Sequence, residues 1–298
     1  MAQDRAQPTD GVVTLQPRPD RSGFFSVLSG GRHVGTVGVT EQPDGRGRLS
    51  WELEPGATGQ GYATRAVRLL VDYAFRALGL DRVEAYVDPA NDRAMRVATR
   101  SGLRREGVLR GHGPANDGRE AREDRVVLAR LATDPPSTEA AGFRALLNSF
   151  LPRKRAIAQL LVRDPAGRVL LCRLTYKNDY DLPGGVVEVN ESPQVAVRRE
   201  VKEELDLDIG AGPLLLTDWL PPWSGWDDAL CLVFDGGVHD PSLLDQTVLQ
   251  AREIRSVHFC TVEEARSLCA DFTARRIESA LASLDGPGGA AYTESGRP

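Results

Sequence analysis

The sequence predicts an α/β (α+β) protein of two domains, each built on a mixed β-sheet with helices. Apolar strand-like runs alternate with helical patterns in both halves of the chain, and such alternation is typical of sheets covered by helices. The length of 298 residues suits two domains of ordinary size. The stretch "ATDPPSTEAAG" at 132–142, rich in Pro, Ser and Thr, indicates a boundary between them.

The first domain is expected to occupy residues 1–132. It opens with four strand-like runs, "GVVTLQ", "FFSVLS", "HVGTVGV" and "RLSWELE". A glycine-rich turn leads into the helix "GYATRAVRLLVDYAFRALG", and the strand "RVEAYV", the helix "DRAMRVATRSG" and the strand "DRVVLARL" follow. Residues 133–153 are predicted to form a linker in which "FRALLNSFL" has the spacing of a connector helix.

The second domain is expected over residues 154–286. "RAIAQLLVRDPAGRVLLCRL" predicts two strands joined by a Pro-Ala-Gly turn. The motif "LPGG" and a charged helix follow, then the strand-like runs "LLLTDWL", "ALCLVF" and "VHFC", and a last helix, "ARRIESALASL". Residues 287–298 are Gly-rich and polar, which predicts a flexible tail.

Composition and charge narrow the class of protein. No stretch approaches the ~18 apolar residues of a membrane span, and the polar N-terminus differs from a secretory signal, so we expect a cytoplasmic protein with no membrane partner. The cysteines form no CxxC pair, which favours reduced, buried thiols over disulfides or zinc. The net charge of −5 and the lack of a dense basic tract argue against nucleic-acid binding. The cysteines are Cys172, Cys231, Cys260 and Cys269.

Three glutamates lie close together in a predicted helix that begins at Ser192 and Pro193. Serine supplies a capping oxygen, and proline suits the first helical turn. At ~100° per residue, Glu200, Glu203 and Glu204 fall within an arc of roughly 100°, so their carboxylates can converge. Oxygen ligands on one face suit Mg²⁺ or Mn²⁺. The alternative is a solvated charged face, in which an arginine placed one turn before Glu203 offsets its charge.

The residues around these glutamates form a long pattern with rigid spacing. From Gly185 it runs G-x5-E-x7-R-E-V-x-E-E-x-x-U, and "LPGG" (182–185) overlaps its start. This pattern resembles the box of the Nudix hydrolases, and the resemblance implies an α/β/α sandwich in the C-terminal half. Asp206 stands where the family often has glycine at the helix exit. The residues that match the box are Gly185, Glu191, Arg199, Glu200, Val201, Glu203, Glu204 and Leu207.

The resemblance implies that water attacks a phosphorus atom of a nucleoside diphosphate linked to another moiety. The implied cofactor is Mg²⁺ or Mn²⁺, bound by Glu200, Glu203 and Glu204. The carbonyl of Gly185 is implied as a further ligand. Glu203 and Glu204 are also implied to be catalytic.

The resemblance also implies a bracing pair and a distal acid. Glu191 and Arg199 would pair and brace the loop against the helix. Glu253, in "AREIRSVHF", matches a late glutamate that often assists catalysis in the family. The alternative for Glu253 is a surface acid at a strand edge. Glu188 is a further candidate base.

Three tryptophans lie in the stretch "DWLPPWSGWDD", which reads as a loop. Trp219, Trp223 and Trp226 are candidates for stacking on a nucleobase, which contributes roughly 1–3 kcal/mol per base. The alternative is that one or two of them fill a loop core or a domain interface.

A glycine turn in the first half, "TGQGYATRA", lies between a predicted strand and a helix. Backbone N–H groups at such a turn bind pyrophosphate. Together with "GLDRVEAYVDPAND" and "SGLRREGVLRG", the turn resembles the GNAT acetyltransferase superfamily over residues 12–132. The resemblance implies acetyl-CoA as a second cofactor and an amine as acceptor; the alternative is an unrelated α/β domain. The implied acyl-CoA-binding residues are Gly59, Gln60, Gly61, Tyr62, Ala63, Thr64 and Asn91.

The chain departs from the GNAT pattern around the implied acceptor site. Glu52 or Glu54 is the candidate base for an acceptor amine. Thr58 stands where the family often has Arg or Gln, and Ala94 stands where it often has Ser. Ala98 stands where the family often has a Tyr that acts as a general acid. The paired helices that usually wall the acceptor site have no counterpart before the third strand-like run. These departures predict a transferase site that is slow, completed by a second subunit in a homo-oligomer, or inactive.

Three functions are compatible with the two resemblances. The first is a metal-dependent pyrophosphohydrolase with a nucleotide-type small-molecule substrate. The second is a bifunctional enzyme that also transfers acetyl from acetyl-CoA to an amine. The third is a non-catalytic sensor of nucleotides or acyl-CoA.

Overall fold

The structure is a computed structural model that describes residues 7–114, 122–286 and 289–298. The chain divides into two compact units, Met1–Pro152 and Arg153–Pro298. Each unit is built on its own sheet of parallel and antiparallel strands, with helices. This confirms the predicted α/β fold class.

The first unit holds a seven-stranded sheet and three α-helices among its described residues. Its strands are β1 (Thr14–Pro17), β2 (Phe24–Ser29), β3 (Arg32–Glu41), β4 (Arg46–Leu53), β5 (Arg82–Val87), β6 (Arg104–Pro114) and β7 (Arg122–Leu131). Its helices are α1 (Tyr62–Arg76), α2 (Asp92–Arg100) and α3 (Ala140–Phe150), and a 3-10 turn spans Pro55–Ala57. The strand order is β1-β2-β3-β4-β5-β7-β6.

Helix α1 supplies one apolar face to the core of the first unit. Apolar side chains recur along it at intervals of three and four residues, which is the period of an amphipathic helix. Burying a large aliphatic side chain contributes roughly 1.5–3 kcal/mol, so packing on the sheet holds the helix in place. The buried residues include Ala66, Val67, Leu70, Val71 and Ala74.

Strands β4 and β5 are parallel neighbours that diverge along their length. They pair over three rungs that end at Arg48 and Glu84, although β4 continues to Leu53 and β5 to Val87. Beyond the last rung the two strands no longer hydrogen-bond to each other. The sheet is therefore open at the ends of the two strands that precede α1 and α2.

Two parts of the first unit differ from the expected elements. Helix α3 lies in the predicted linker but packs on this unit: Phe150 contacts its core, and Ser149 Oγ accepts the Arg105 N–H at 3.1 Å. Strand β6 was not predicted, because most of its side chains are exposed and leave no apolar alternation to recognise. Its pairing with β7 defines it instead. In the described residues, β1 leads to β2 without an intervening helix.

The second unit holds an eight-stranded sheet. Its strands are β8 (Arg155–Arg163), β9 (Val169–Leu174), β10 (Tyr180–Asp181), β11 (Gly184–Val186), β12 (Leu214–Leu220), β13 (Ala229–Val238), β14 (Ile254–Cys260) and β15 (Ala291–Glu294). Its helices are α4 (Pro193–Leu205), α5 (Val262–Leu268) and α6 (Asp271–Asp285), and a 3-10 turn spans Pro241–Gln246. The main path is β10-β9-β8-β13-β12-β15, with β11 on β8 and β14 on β9.

Helices α4 and α6 cover opposite faces of this sheet. Leu160 of β8 packs in one core cluster with Val201 of α4. The next residue of β8, Leu161, packs in another cluster with Ile277 of α6. Successive side chains of a strand point to opposite faces, so the second unit is an α/β/α sandwich.

The C-terminal stretch differs from the predicted flexible tail. Residues 291–294 form β15, which pairs in parallel with β12 from Leu216 to Trp219, so the prediction is wrong for these residues. The physical reason is a buried acid: Asp218 accepts hydrogen bonds from Thr293 Oγ1 and Gly296 N, each at 2.8 Å. A Gly-rich local composition contains no sign of such a partner.

All four cysteines are buried, as predicted, and none is paired with another in the structure. Among the described residues, no helix is both long and apolar enough to cross a membrane.

Candidate active sites

Helix α4 begins where the sequence predicts. Ser192 is its N-cap, and the side chain accepts a backbone N–H at 3.4 Å. Pro193 is the first helical residue. Val197, Val201 and Leu205 are fully buried. This buried stripe sets the rotation of the helix, and with it the direction of the neighbouring glutamates.

Arg199 braces α4 against the loop before it. Nε and Nη2 donate to the two carboxylate oxygens of Glu191 at 2.9 and 3.0 Å, and Nη2 also donates to Val186 O at 3.2 Å. Nη1 donates to Glu200 and Glu203 at 3.0 and 3.2 Å. The hydrogen bond to Glu191 raises the pKa of Arg199 and lowers that of Glu191, so both remain charged. The structure brings the expected pair together and also contains the Glu203 contact that a solvated charged face would show.

The glycine turn touches α4 at two glutamates. A β-carbon at position 185 would lie 2.5 Å from the carboxylate carbon of Glu200, so a side chain there would displace this carboxylate. Gly184 N donates to Oε2 of Glu204 at 3.3 Å. The "LPGG" motif is therefore adjacent in space to the helix that follows it.

Glu204 is a buried carboxyl surrounded by other acids. The residue is 6% exposed. Burial raises its pKa to about 8; the Gly184 N–H opposes this shift, and the charges of Glu200, Glu253 and Asp181 add to it. A carboxylate in such a place is unstable unless a cation offsets its charge.

Glu253 joins this cluster although it is distant along the chain. Burial is the main cause of the raised pKa values of Glu200 and Glu204, and the negative charge of Glu253 contributes to both. Backbone contacts place it: Gln250 N donates to Glu204 O at 2.9 Å, and Thr175 N donates to Glu253 O at 2.8 Å. The structure thus brings Glu200, Glu204 and Glu253 together.

The other candidate residues of this domain do not join the cluster of Glu200, Glu204 and Glu253. The side chain of Glu203 is 57% exposed and contacts Arg199. Glu188 is exposed, and its N–H donates to Glu191 at 3.1 Å. Within 7–114, 122–286 and 289–298, no group of three or more His, Cys, Asp or Glu side chains is arranged to hold a metal ion.

The chemistry of the donor set nevertheless fits a hard divalent cation. Glu200 and Glu204 offer carboxylate oxygens where burial disfavours negative charge. Mg²⁺ and Mn²⁺ prefer oxygen ligands. Such an ion would offset the repulsion among these acids.

We expect the metal-free protein to lose stability as the pH rises from about 5 to about 8. The folded-state pKa of Glu204 is about 8, above its ordinary value of 4.5, so the folded protein holds a proton that the unfolded chain releases. This contribution is complete below the ordinary value and is lost as the pH rises through the folded value. Urea unfolding in EDTA across this range measures it. The slope should be smaller in Glu204→Gln, and an identical slope would contradict the assignment.

Tyr176 is a site residue that the sequence pattern did not single out. Its ring is 68% exposed and follows Thr175, which contacts the backbone of Glu253. The pKa of its hydroxyl is raised to about 12. Partial burial is the main cause, and the negative charges of Asp181, Glu204 and Glu253 add to it. The charges of the acid cluster therefore act on this hydroxyl. Tyr176 and Tyr180 both precede "LPGG" by a few residues, and nothing in the sequence pattern distinguishes Tyr176.

The three tryptophans have different environments. Trp219 is half-buried in β12, and its Nε1 donates to Asp228 at 3.3 Å. Trp223 and Trp226 are 55% and 56% exposed and exchange backbone hydrogen bonds at 3.1 and 2.9 Å. Trp223 packs edge-on against Phe272 at 5.6 Å. Exposed ring surface for stacking is thus found at Trp223 and Trp226.

The glycine turn before α1 presents backbone donors. Gly59 and Gly61 have φ values of 80° and 79°, which glycine adopts without strain. Gly61 is the N-cap of α1 and provides no side-chain cap. In the part of the chain that the structure describes, the amides from Gly59 to Thr64 donate no hydrogen bond to protein atoms. Free N–H groups at a helix start suit a phosphate.

Two cavities border this turn and the opening between β4 and β5. The first, of about 440 Å³, includes Gly61, Thr64 and three arginines in its lining. The second, of about 310 Å³, is lined by residues 48–51 of β4, by residues 85–87 of β5 and by Asp88 just after it. The three arginines are Arg65, Arg68 and Arg100.

The other predicted residues of the first unit have mixed positions. Asn91 lines the second cavity, but its side chain also caps α2 by accepting the Ala94 N–H at 3.0 Å. Glu52 and Glu54 are exposed, and neither is among the residues that line this cavity. The carboxylate of Glu54 lies 3.6 Å from His33 Nδ1.

The fold and the site geometry define a fusion of two α/β domains with a candidate small-molecule site in each. The family model of the acetyltransferase (GNAT) domain matches residues 2–104, and that of the NUDIX domain matches residues 152–281. The two family models thus match the two halves of the chain in the order that the resemblances imply, which confirms both resemblances.

The chain is similar to several curated proteins. It is 38% identical over 115 residues to the probable N-acetyltransferase YjcK of Bacillus subtilis, covering 38% of this chain and 61% of that protein. It is 34% identical over 84 residues to the uncharacterized N-acetyltransferase p20 of Bacillus licheniformis, covering 28% and 47%. A MutT-like protein of Streptomyces ambofaciens is 39% identical over 54 residues, covering 18% and 34%. The chain spans about half the length of the first two relatives.

Solved structures resemble each half. The MutT protein of Methanosarcina mazei Go1 is 22% identical with a TM-score of 0.39, covering 46% of this chain and all of that one. A GNAT-family acetyltransferase from Bacillus anthracis is 26% identical with a TM-score of 0.34, covering 37% and 66%.

Proposed function

We propose that the NUDIX domain hydrolyses a pyrophosphate bond in a nucleoside diphosphate linked to another moiety, with Mg²⁺ or Mn²⁺ as cofactor. The observation that carries this proposal is the acid cluster beside the glycine turn, in which Glu204 is buried and Glu200 and Glu253 are half-buried. The NUDIX family match supports pyrophosphate hydrolysis in general.

Glu200 and Glu204 would hold the metal, with Glu203 and the carbonyl of Gly185 as further ligands. When bound, the metal supplies positive charge that neutralises the pyrophosphate and makes a water molecule more acidic. Arg199 keeps two of these glutamates in one orientation through its Nη1 contacts at 3.0 and 3.2 Å. These contacts fix the direction of the two carboxylates on α4.

Glu253 is the acid that we propose as proton acceptor for the attacking water. It is half-buried and placed by backbone hydrogen bonds, and it forms no ion pair with an arginine or lysine among the described residues. Its carboxylate oxygens therefore stay open to receive a proton. Trp223 and Trp226 are proposed to stack on the base of the substrate, because their rings are exposed.

A substrate panel tests the hydrolase proposal. It contains ADP-ribose-like compounds, nucleotide sugars, dinucleotides and oxidised nucleotides, each incubated with Mg²⁺ or Mn²⁺, and released phosphate or nucleotide is measured. We expect turnover of at least one compound with metal and none in EDTA. A panel ligand that stabilises the protein but yields no product over long incubation would favour the non-catalytic sensor instead.

We propose acetyl transfer from acetyl-CoA to an amine as a second activity. The specific observation is the divergence of β4 and β5 together with the free amides before α1, since the two could receive the arm and the pyrophosphate of acyl-CoA. Similarity to named N-acetyltransferases supports it. The base would be Glu52 or Glu54, and a second subunit would complete the acceptor site.

We expect acetyl-CoA to bind the wild-type protein in calorimetry, and Gly61→Ala to weaken binding about tenfold. The added methyl group disfavours the left-handed backbone that aims the amides at the pyrophosphate. Gly31→Ala is the matched control, since Gly31 has a φ of 77° in the turn between β2 and β3. Absence of binding by the wild type, or equal weakening by both variants, would refute the proposed acyl-CoA site.

A further inference from the structure

A continuous chain of buried polar side chains begins at the C-terminal strand. Asp218 is 0% exposed, and its Oδ1 accepts Thr293 Oγ1 and Gly296 N, each at 2.8 Å. Its Oδ2 accepts Arg276 Nε at 2.8 Å, and Arg276 is 1% exposed on α6. The strand β15 is therefore attached to a buried ion pair.

Gln159 of β8 extends this chain toward the glycine turn. Arg276 Nη1 donates to Gln159 Oε1 at 3.1 Å, and Gln159 Nε2 donates to Asp181 Oδ1 at 2.8 Å. Gln159 is 4% exposed. A glutamine can accept from an arginine and donate to an aspartate at the same time, whereas a glutamate can only accept.

Asp181 orients the backbone that enters the "LPGG" turn. Its Oδ1 also accepts Leu182 N at 2.9 Å, and its Oδ2 accepts Lys177 Nζ at 2.7 Å. Two residues after Leu182, Gly184 N donates to Glu204 at 3.3 Å. The chain of hydrogen bonds thus runs from the C-terminal strand to the turn that touches Glu204.

Stability alone is a weak explanation for these buried charges. Replacing a buried ion pair by apolar residues of similar volume is often neutral or stabilising. Nη2 of Arg276 also has no hydrogen-bond partner among the described residues, and an unpaired buried donor costs free energy. A better explanation is that this series of hydrogen bonds orients the groups at its two ends, β15 and the "LPGG" turn.

We propose that Asp218, Arg276, Gln159 and Asp181 form a relay through which β15 positions the "LPGG" turn and Glu204. Gln159 and Arg276 are positioning residues, because they act on the site through Asp181. The catalytic consequence rests on the proposed hydrolase function, whereas the structural part rests on the hydrogen bonds alone.

Hydrogen exchange of the full-length protein, measured by mass spectrometry on peptides covering 180–186, tests the relay. Thr293→Val removes the hydroxyl at the far end and keeps the volume, and Thr293→Ser keeps the hydroxyl. Gln159→Glu keeps the shape of the side chain and the hydrogen bond from Arg276. It replaces the amide group that donates to Asp181 with a carboxylate oxygen, which is an acceptor. Val169→Ala is the control, because Val169 is 1% exposed in the core of the same unit and lies outside the relay.

We expect exchange over 180–186 in Thr293→Val and Gln159→Glu to exceed that of Val169→Ala by about tenfold at matched global stability. Thr293→Ser should match the wild type. Exchange in Thr293→Val no faster than in Val169→Ala would overturn the relay, and so would a response confined to Gln159→Glu. For a substrate that is turned over, kcat should fall with little change in KM. If no substrate is hydrolysed, the proposed function fails, and the exchange result still decides the relay.

Discussion

Replacing Glu204 with glutamine is expected to abolish hydrolysis and to stabilise the metal-free protein. Turnover should fall by about 10³-fold or more, since a neutral amide is a poor ligand for a divalent cation. At pH 8 the free energy of unfolding should rise by roughly 2–4 kcal/mol, because burial opposes the charge of the native carboxylate. Its folded pKa of about 8 is the basis for this rise. Opposite changes in activity and stability would mark a functional carboxylate.

Hydrolysis with Mg²⁺ or Mn²⁺ and urea unfolding in EDTA measure the two effects. Glu263→Gln is the control, because its side chain is 78% exposed on α5, and it should change neither quantity. Glu203→Gln should lose turnover with little change in stability, since its carboxylate is 57% exposed. Undiminished hydrolysis by both the Glu203 and the Glu204 variants would refute the hydrolase proposal.

Replacing Arg199 with lysine is expected to lower turnover by about 100-fold and to cost roughly 1–3 kcal/mol of stability. An ammonium group cannot make the two contacts to Glu191 at 2.9 and 3.0 Å while also reaching Glu200 and Glu203. The loop and α4 would then lose their common brace. Steady-state kinetics and urea unfolding measure the change.

The neighbouring Arg198 provides a matched control for this variant. Its side chain is 55% exposed and pairs with Asp208, itself 78% exposed, at 3.2 Å. Exposed pairs contribute about 0–1 kcal/mol, so Arg198→Lys should leave both activity and stability nearly unchanged. Equal behaviour of the two variants would mean that Arg199 is an ordinary surface residue.

Local sequence was sufficient to predict α4. A serine-proline start, an apolar stripe with helical spacing and glycines at a fixed distance upstream all concern residues close together in the chain. In the structure Ser192 caps the helix, Pro193 begins it, and Val197, Val201 and Leu205 are buried as the pattern indicates. Such features depend on backbone conformation and the periodicity of side chains, which short segments already determine.

Strands that are very short or mostly exposed could not be predicted in this way. Strand β6 presents few buried side chains, and β10 and β11 have only two and three residues. Their existence depends on pairing with β7, β9 and β8. Pairing is a property of two strands together, so the side-chain pattern of one short or exposed strand does not report it.

The sequence by itself determined which domain families the chain combines and which residue types stand at the glycine turns and on α4. Only the tertiary structure decided which glutamates are buried and what surrounds them. It buried Glu204, placed the charge of Glu253 near it, and attached the C-terminal strand to Asp218. The physical reason is that desolvation and long-range hydrogen bonding arise from packing, which sets the charge environment of a side chain independently of its neighbours in sequence.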